Sequence, residues 1–66
     1  MIIIEYGTHK RRDGWLPVTY ENGRESILWY TRALDRGEAM AIATRAAYEL
    51  AERYIGDWNV TVRGRP

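Results

Sequence analysis

The sequence predicts an α+β fold of order βββαβ: an antiparallel three-stranded meander, one helix packed on one face, and a short fourth strand parallel to the first. Three observations predict it. Asn22-Gly23 stands between two runs rich in apolar and β-branched residues, the strongest short-range hairpin signal a chain can carry. Asp35, with Glu38 three residues later, opens a proline-free stretch with an alanine stripe, which marks the start of an amphipathic helix. The isoleucine run after Met1 and the pair Val60 and Val62 supply further strands.

Each element follows in order. Met1 to about Gly7 is the first strand, and Thr8–Gly14 is a polar loop ending in the turn signal Asp13-Gly14. Trp15–Glu21 alternates, and Arg24–Thr31 returns beside it. The helix runs from Arg36 to Tyr54 behind the Asp35 cap, with Gly37 tolerable in the first turn and Gly56 suited to the C-terminal cap. On a wheel of about 100° per residue, Ala39, Ala43, Ala46, Ala47, Leu50 and Tyr54 share one face, and Arg45, Glu49 and Arg53 share the opposite one. Asp57-Trp58-Asn59 leads into Val60–Arg63, the last strand. Ile2–Ile4 lacks alternation, as a strand flanked on both edges does, so the predicted order is 4-1-2-3.

The register of the second hairpin decides the faces. A two-residue type I′ turn at Asn22-Gly23 sets Glu21 against Arg24, Val18 against Ile27 and Leu16 against Trp29. Leu16, Val18, Ile27 and Trp29 then form the face expected to meet the helix. Trp15, Pro17, Thr19, Leu28 and Tyr30 form the other. A three-residue loop with Gly23 as a bulge residue would slip the pairing by one and regroup these side chains. The first register is preferred because it pairs opposite charges and two β-branched residues. Pro17 is awkward in either, and a bulge or an early end to one strand pair would accommodate it. Either way, a single helix covers one face, and large apolar side chains are left over.

With 66 residues the chain is expected to form one small domain, 1–66, near the size at which a single core just suffices. There is no cysteine, so neither disulfides nor thiolate metal sites can supplement that core. Met1–Ile4 has no basic flank and is too short for a signal peptide, and no run approaches a membrane span. A cytoplasmic protein is the expectation. The formal net charge is +1, so any nucleic-acid binding must rest on local clusters of charge.

Two candidate sites emerge. The leftover face, anchored by Trp15, Leu28 and Tyr30 with Arg24 and Glu21 on its rim, fits a protein interface, with a homodimer as one form. The cluster His9-Lys10-Arg11-Arg12 in the first hairpin loop, with neighbouring aromatics, is the alternative: Lys10, Arg11 and Arg12 would hold phosphates while rings stack on bases. Glu38, Glu49 and Glu52 among the helix arginines leave no clean basic recognition helix. Catalysis has little to build on. One histidine without a visible partner, no cysteine and no glycine-rich phosphate motif predict neither enzyme, cofactor nor metal, and no small-molecule substrate is evident.

Asp13-Gly14-Trp15-Leu16-Pro17-Val18 before the hairpin and Glu38-Ala39-Met40-Ala41-Ile42-Ala43 opening the helix together resemble small uncharacterised bacterial domains built from a three-stranded meander and a helix. The layout is similar to the arm-binding domains of tyrosine integrases, whose sheet enters the DNA major groove while the helix backs it. That resemblance implies Arg12, Thr19 and Arg24 facing bases or phosphates. The apolar outer face and the fourth strand depart from the pattern, so no site is transferred. The leading expectation is a non-catalytic protein-interaction module binding through the sheet face opposite the helix.

Overall fold

The computed structural model describes residues 1–54 and 59–65. Its elements are β1 (Ile2–Arg11), β2 (Gly14–Glu21), β3 (Arg24–Ile27), α1 (Arg36–Ala51) continuing as a 3₁₀ turn over Glu52–Tyr54, and β4 (Val60–Gly64). They form an α+β fold with a mixed sheet in the order β3-β2-β1-β4, antiparallel except where β4 runs parallel to β1. The order and the parallel pairing are those the sequence predicts. The expected helix cap at Gly56 and the Asp57-Trp58 approach to β4 lie outside the described residues.

Asn22 and Gly23 have φ of 50° and 87°, both positive, as a type I′ turn demands. Glu21 therefore opposes Arg24 and Val18 opposes Ile27, the first of the two registers. β3 ends at Ile27 instead of running to Thr31, so Leu16 and Trp29 never pair. Pro17 is the reason. Leu28 N–H donates to the Pro17 carbonyl at 3.0 Å, but Pro17 has no N–H to return. The chain turns away after this half-made pair and rejoins β2 at Ala33, which exchanges two 2.9 Å hydrogen bonds with Trp15.

β1 is longer than its composition suggests. It runs to Arg11, which pairs with Gly14, so the expected polar loop contracts to a two-residue turn at Arg12-Asp13. Pairing along the whole of β2 outweighs the polarity of Thr8–Arg11. Gly14 makes the contraction feasible: its φ is +150°, and a Cβ there would lie 2.6 Å from the Ala33 carbonyl oxygen.

The faces follow from the ladders, because opposed residues point the same way. Ile4, Tyr6, Pro17, Thr19, Glu21, Ser26 and Val62 share one face. Glu5, His9, Leu16, Val18, Tyr20, Glu25, Ile27 and Arg63 share the other. The helix lies on the first face: the Tyr54 hydroxyl donates to Glu21 at 2.6 Å, and α1 residues flank Thr19, Ser26 and Leu28. This corrects the expectation that Leu16, Val18 and Ile27 meet the helix. That expectation rests on two strands, whereas four decide it. Ile2, Ile4, Val60 and Val62 add apolar bulk on the Thr19 side, while β1 and β4 put Glu5, His9, Arg11 and Arg63 on the other.

Asp35 caps α1, accepting the Glu38 N–H at 2.8 Å from an extended backbone. Ala39, Ala43 and Ala47, at successive i, i+4 positions, are completely buried and let the helix lie close on the sheet. Ile4, Leu16 and Val18 are also completely buried, each contributing about 1.5–3 kcal/mol. Leu16 and Val18 achieve this on the face away from α1, where long side chains form the cover. His9 Nε2 meets Glu25 Oε2 at 2.8 Å across β2, the Arg11 guanidinium stacks 4.7 Å from the Trp29 ring centre, and Arg65 stacks 4.0 Å from that of Tyr20.

Candidate binding surface

The Asn22-Gly23 turn makes Glu21 and Arg24 neighbours, and parity then places Ser26 and Leu28 on the same face. These residues meet the C-terminal half of α1. Glu21, Arg24, Leu28 and Tyr30 line one side of a groove of about 350 Å³, and Ala46, Glu49, Leu50 and Arg53 line the other. Four of the five residues expected at a protein interface are thus brought together. They lie on the helix side of the sheet, which corrects the expected position opposite the helix.

The groove has an apolar floor of Leu28, Leu50 and Ala46 and a rim with two carboxylates and two guanidiniums. Glu21 is fixed by the Tyr54 hydroxyl, which ties the end of the helical segment to the hairpin. Tyr30, 86% exposed, stands at the mouth, and Trp29 (59%) and Leu34 (89%) flank it in sequence. The stretch from Trp29 to Leu34, which skirts Pro17 and passes the Ala33 bridge, therefore holds three large side chains in solvent, beyond the scattered exposure usual on a surface. The contributions of Ala46, Glu49, Leu50 and Arg53 were not foreseen. The expectation that Glu49 and Arg53 lie opposite Ala46 and Leu50 is corrected here: all four line one side of the groove, because at about 100° per residue they fall within one quarter or so of the helix circumference.

Trp15, the fifth expected interface residue, is separate. It sits at the opposite end of β2, with the Lys10 ammonium 5.8 Å from its ring centre. It lines a second cleft of about 260 Å³ with Thr8, Arg36, Met40 and Arg65. Neither Arg36 nor Met40 is assigned to a site by the sequence, although their i, i+4 spacing puts them on one side of the helix start.

The basic quartet is divided by the extension of β1. Lys10 points to the helix side, His9 and Arg11 to the other, and Arg12 lies in the turn. Lys10, Arg11 and Arg12 thus do not form the single loop cluster expected, because a strand sends successive side chains to opposite faces. Of the residues that the integrase-like layout would turn toward DNA, Thr19 is 5% exposed beneath the helix and Arg24 lines the groove.

On the outer face the Tyr20 hydroxyl has its pKa raised, first by burial and then by the negative charge of Glu25. Glu5 is bound by Arg63 at 3.1 Å and by Arg65 at 3.5 Å. Among the described residues no group of three or more His, Asp or Glu side chains is placed to hold a metal ion, and no helix is long and apolar enough to cross a membrane. Compared with protein-family models, with curated proteins and with solved structures, the chain matches none of them.

Proposed function

We propose that the chain is a non-catalytic protein-interaction module whose groove between β3 and α1 receives a second copy of the same chain. The observation that carries this reading is the convergence of Leu28, Tyr30 and Leu50 with a rim of Glu21, Arg24, Glu49 and Arg53. An apolar floor with a charged rim is the usual anatomy of a protein interface. A rim with equal numbers of each sign suits a two-fold partner, because Arg24 of one copy can face Glu49 of the other, and the reverse. Tyr30 supplies the projection that such a groove needs, each copy offering its ring to the other. A phosphate backbone would favour one sign of charge alone.

The test is molar mass in solution across a dilution series at low and high salt. The expected result is a concentration-dependent dimer that survives high salt, together with Leu28→Asp and Tyr30→Asp variants that stay monomeric with unchanged far-UV circular dichroism. Tyr30 is exposed enough that its variant folds whatever the groove does. A wild-type chain that remains monomeric at the highest concentration overturns the dimer.

A further inference from the structure

Asn22-Gly23 is a reactive pair as well as a turn. Glycine follows the asparagine, so no side chain crowds the Gly23 nitrogen, and both residues are exposed to water at the hairpin tip. A Cβ built on Gly23 meets nothing within 4 Å, so the approach is open. The fold holds this pair in check. Asn22 keeps a φ of 50° in the type I′ turn, and its Oδ1 accepts the Ile3 N–H at 2.8 Å, which pins the side-chain amide to β1.

From this arrangement we infer that Asn22 is a deamidation site guarded by the folded hairpin, and that opening the hairpin converts it irreversibly to isoaspartate. The Gly23 nitrogen gives up its proton to solvent base and bonds to Asn22 Cγ, closing a cyclic succinimide. The bond from Cγ to the side-chain nitrogen breaks, and that nitrogen takes up a proton and leaves as ammonia. Water then opens the ring at either carbonyl. Breaking the new bond at Cγ gives aspartate; breaking the original peptide bond gives isoaspartate, whose main chain runs through the side-chain carbon. No electrons change hands, and water is the co-reactant consumed. Ring closure swings the Gly23 nitrogen onto Asn22 Cγ, which rotates the intervening peptide out of the type I′ turn and pulls Oδ1 off Ile3. Only chains with an open hairpin tip therefore react. The products differ in consequence. Aspartate keeps an acceptor for Ile3 and the same backbone. Isoaspartate adds a methylene to the main chain, so the turn no longer sets Glu21 against Arg24 or Val18 against Ile27. Glu21 and Arg24 belong to the rim of the groove, so the change dismantles that rim whatever the groove binds. A chain whose hairpin has opened is thus withdrawn from the folded pool by covalent chemistry. This inference stands on the turn and is independent of the proposed dimer.

The test holds the intact chain at mildly alkaline pH in native buffer and in concentrated guanidinium chloride, and follows Asn22 and Asn59 over time by peptide mapping and mass spectrometry. Asn59 precedes Val60, whose branched side chain crowds the attacking nitrogen, so it serves as the internal control. In denaturant Asn22 is expected to react, with isoaspartate the main product, while Asn59 persists. In native buffer the reaction is expected to be slower by about tenfold or more, because only the open fraction reacts. Ile3→Pro deletes the N–H that holds Oδ1 and spares the bond toward β4, which Ile2 N–H makes to the Asn59 carbonyl. It is expected to raise the native rate severalfold. If Ile3→Pro fails to fold, the native and denatured rates of the wild-type chain decide alone. Isoaspartate chains separated from the denatured reaction are expected not to regain the native near-UV circular dichroism, whereas Asn22→Asp regains it. Survival of Asn22 in denaturant overturns the inference, as do equal rates in the two media. An unchanged native rate in folded Ile3→Pro, or isoaspartate chains that refold as Asn22→Asp does, also overturns it.

Discussion

Asn22 and Ile3 exchange two hydrogen bonds, one of them through a side chain. Asn22 N–H donates to the Ile3 carbonyl at 2.8 Å, and Ile3 N–H donates to Asn22 Oδ1 at 2.8 Å. The turn has rotated the backbone carbonyl of Asn22 away from the ladder, and the side-chain amide takes its place. One residue thus supplies the positive φ of a type I′ turn and one more rung between β1 and β2. Asn22→Gly keeps the turn and removes the rung, so it should cost about 1 kcal/mol, read as a lower urea midpoint. Asn22→Asp keeps an acceptor and tolerates the same φ, and should lie much closer to wild type.

Gly14 and Gly23 both have positive φ, but their substitutions should differ sharply. A Cβ at Gly14 meets the Ala33 carbonyl at 2.6 Å, whereas one at Gly23 meets nothing within 4 Å. Gly23→Ala should cost about 1 kcal/mol in conformational strain alone. Gly14→Ala should cost more, because the Trp15–Ala33 bridge must also move, and chemical denaturation of both variants orders them.

Ala43 is the middle residue of the fully buried stripe Ala39, Ala43 and Ala47 on α1. Ala43→Leu has no void to fill and should destabilise by about 1–3 kcal/mol despite its good helix propensity. Ala41→Leu, on the exposed side of the same helix, serves as the control and should be near neutral. Thermal unfolding of the pair separates packing from propensity.

Tyr20 gives the fold an alkaline limb. Burial and Glu25 raise its pKa in the folded state above the ordinary value near 10, so the unfolded chain releases this proton more readily. The contribution is complete below about pH 10 and is lost as pH rises through the folded-state value. Melting temperatures measured at rising alkaline pH should fall for the wild type and fall less for Tyr20→Phe.

Local chemistry made the turns, caps and strand order legible in the sequence. Asn22-Gly23, the Asp35–Glu38 pair and the Ala39, Ala43, Ala47 stripe each act over a few residues, and each is found where expected. The end of β1 was not legible, because Thr8–Arg11 is polar and becomes a strand only through its partners on β2. The covered face was misread for a related reason. It depends on the phase of β1, which is set by a turn at Arg12-Asp13 that the composition disguises as part of a loop. Pro17 signalled trouble within β2, but the sequence does not say which neighbour loses. The missing N–H points toward β3, and so β3 ends early. Glu21, Arg24, Leu28 and Tyr30 meet at one groove because strand parity joins the first three, whereas the length of the sheet separates Trp15 from them.

The double hydrogen bond between Trp15 and Ala33 has a bearing on engineering. It shuts the detour around Pro17 at its far end, just as the Leu28–Pro17 bond shuts the near end, so residues 29–32 hang from two fixed posts. Foreign sequence spliced between Tyr30 and Thr31 would enlarge a bight already closed, at an entropic cost that grows only logarithmically with length. The sheet beneath would keep its register, making this a position at which the chain can display a grafted epitope.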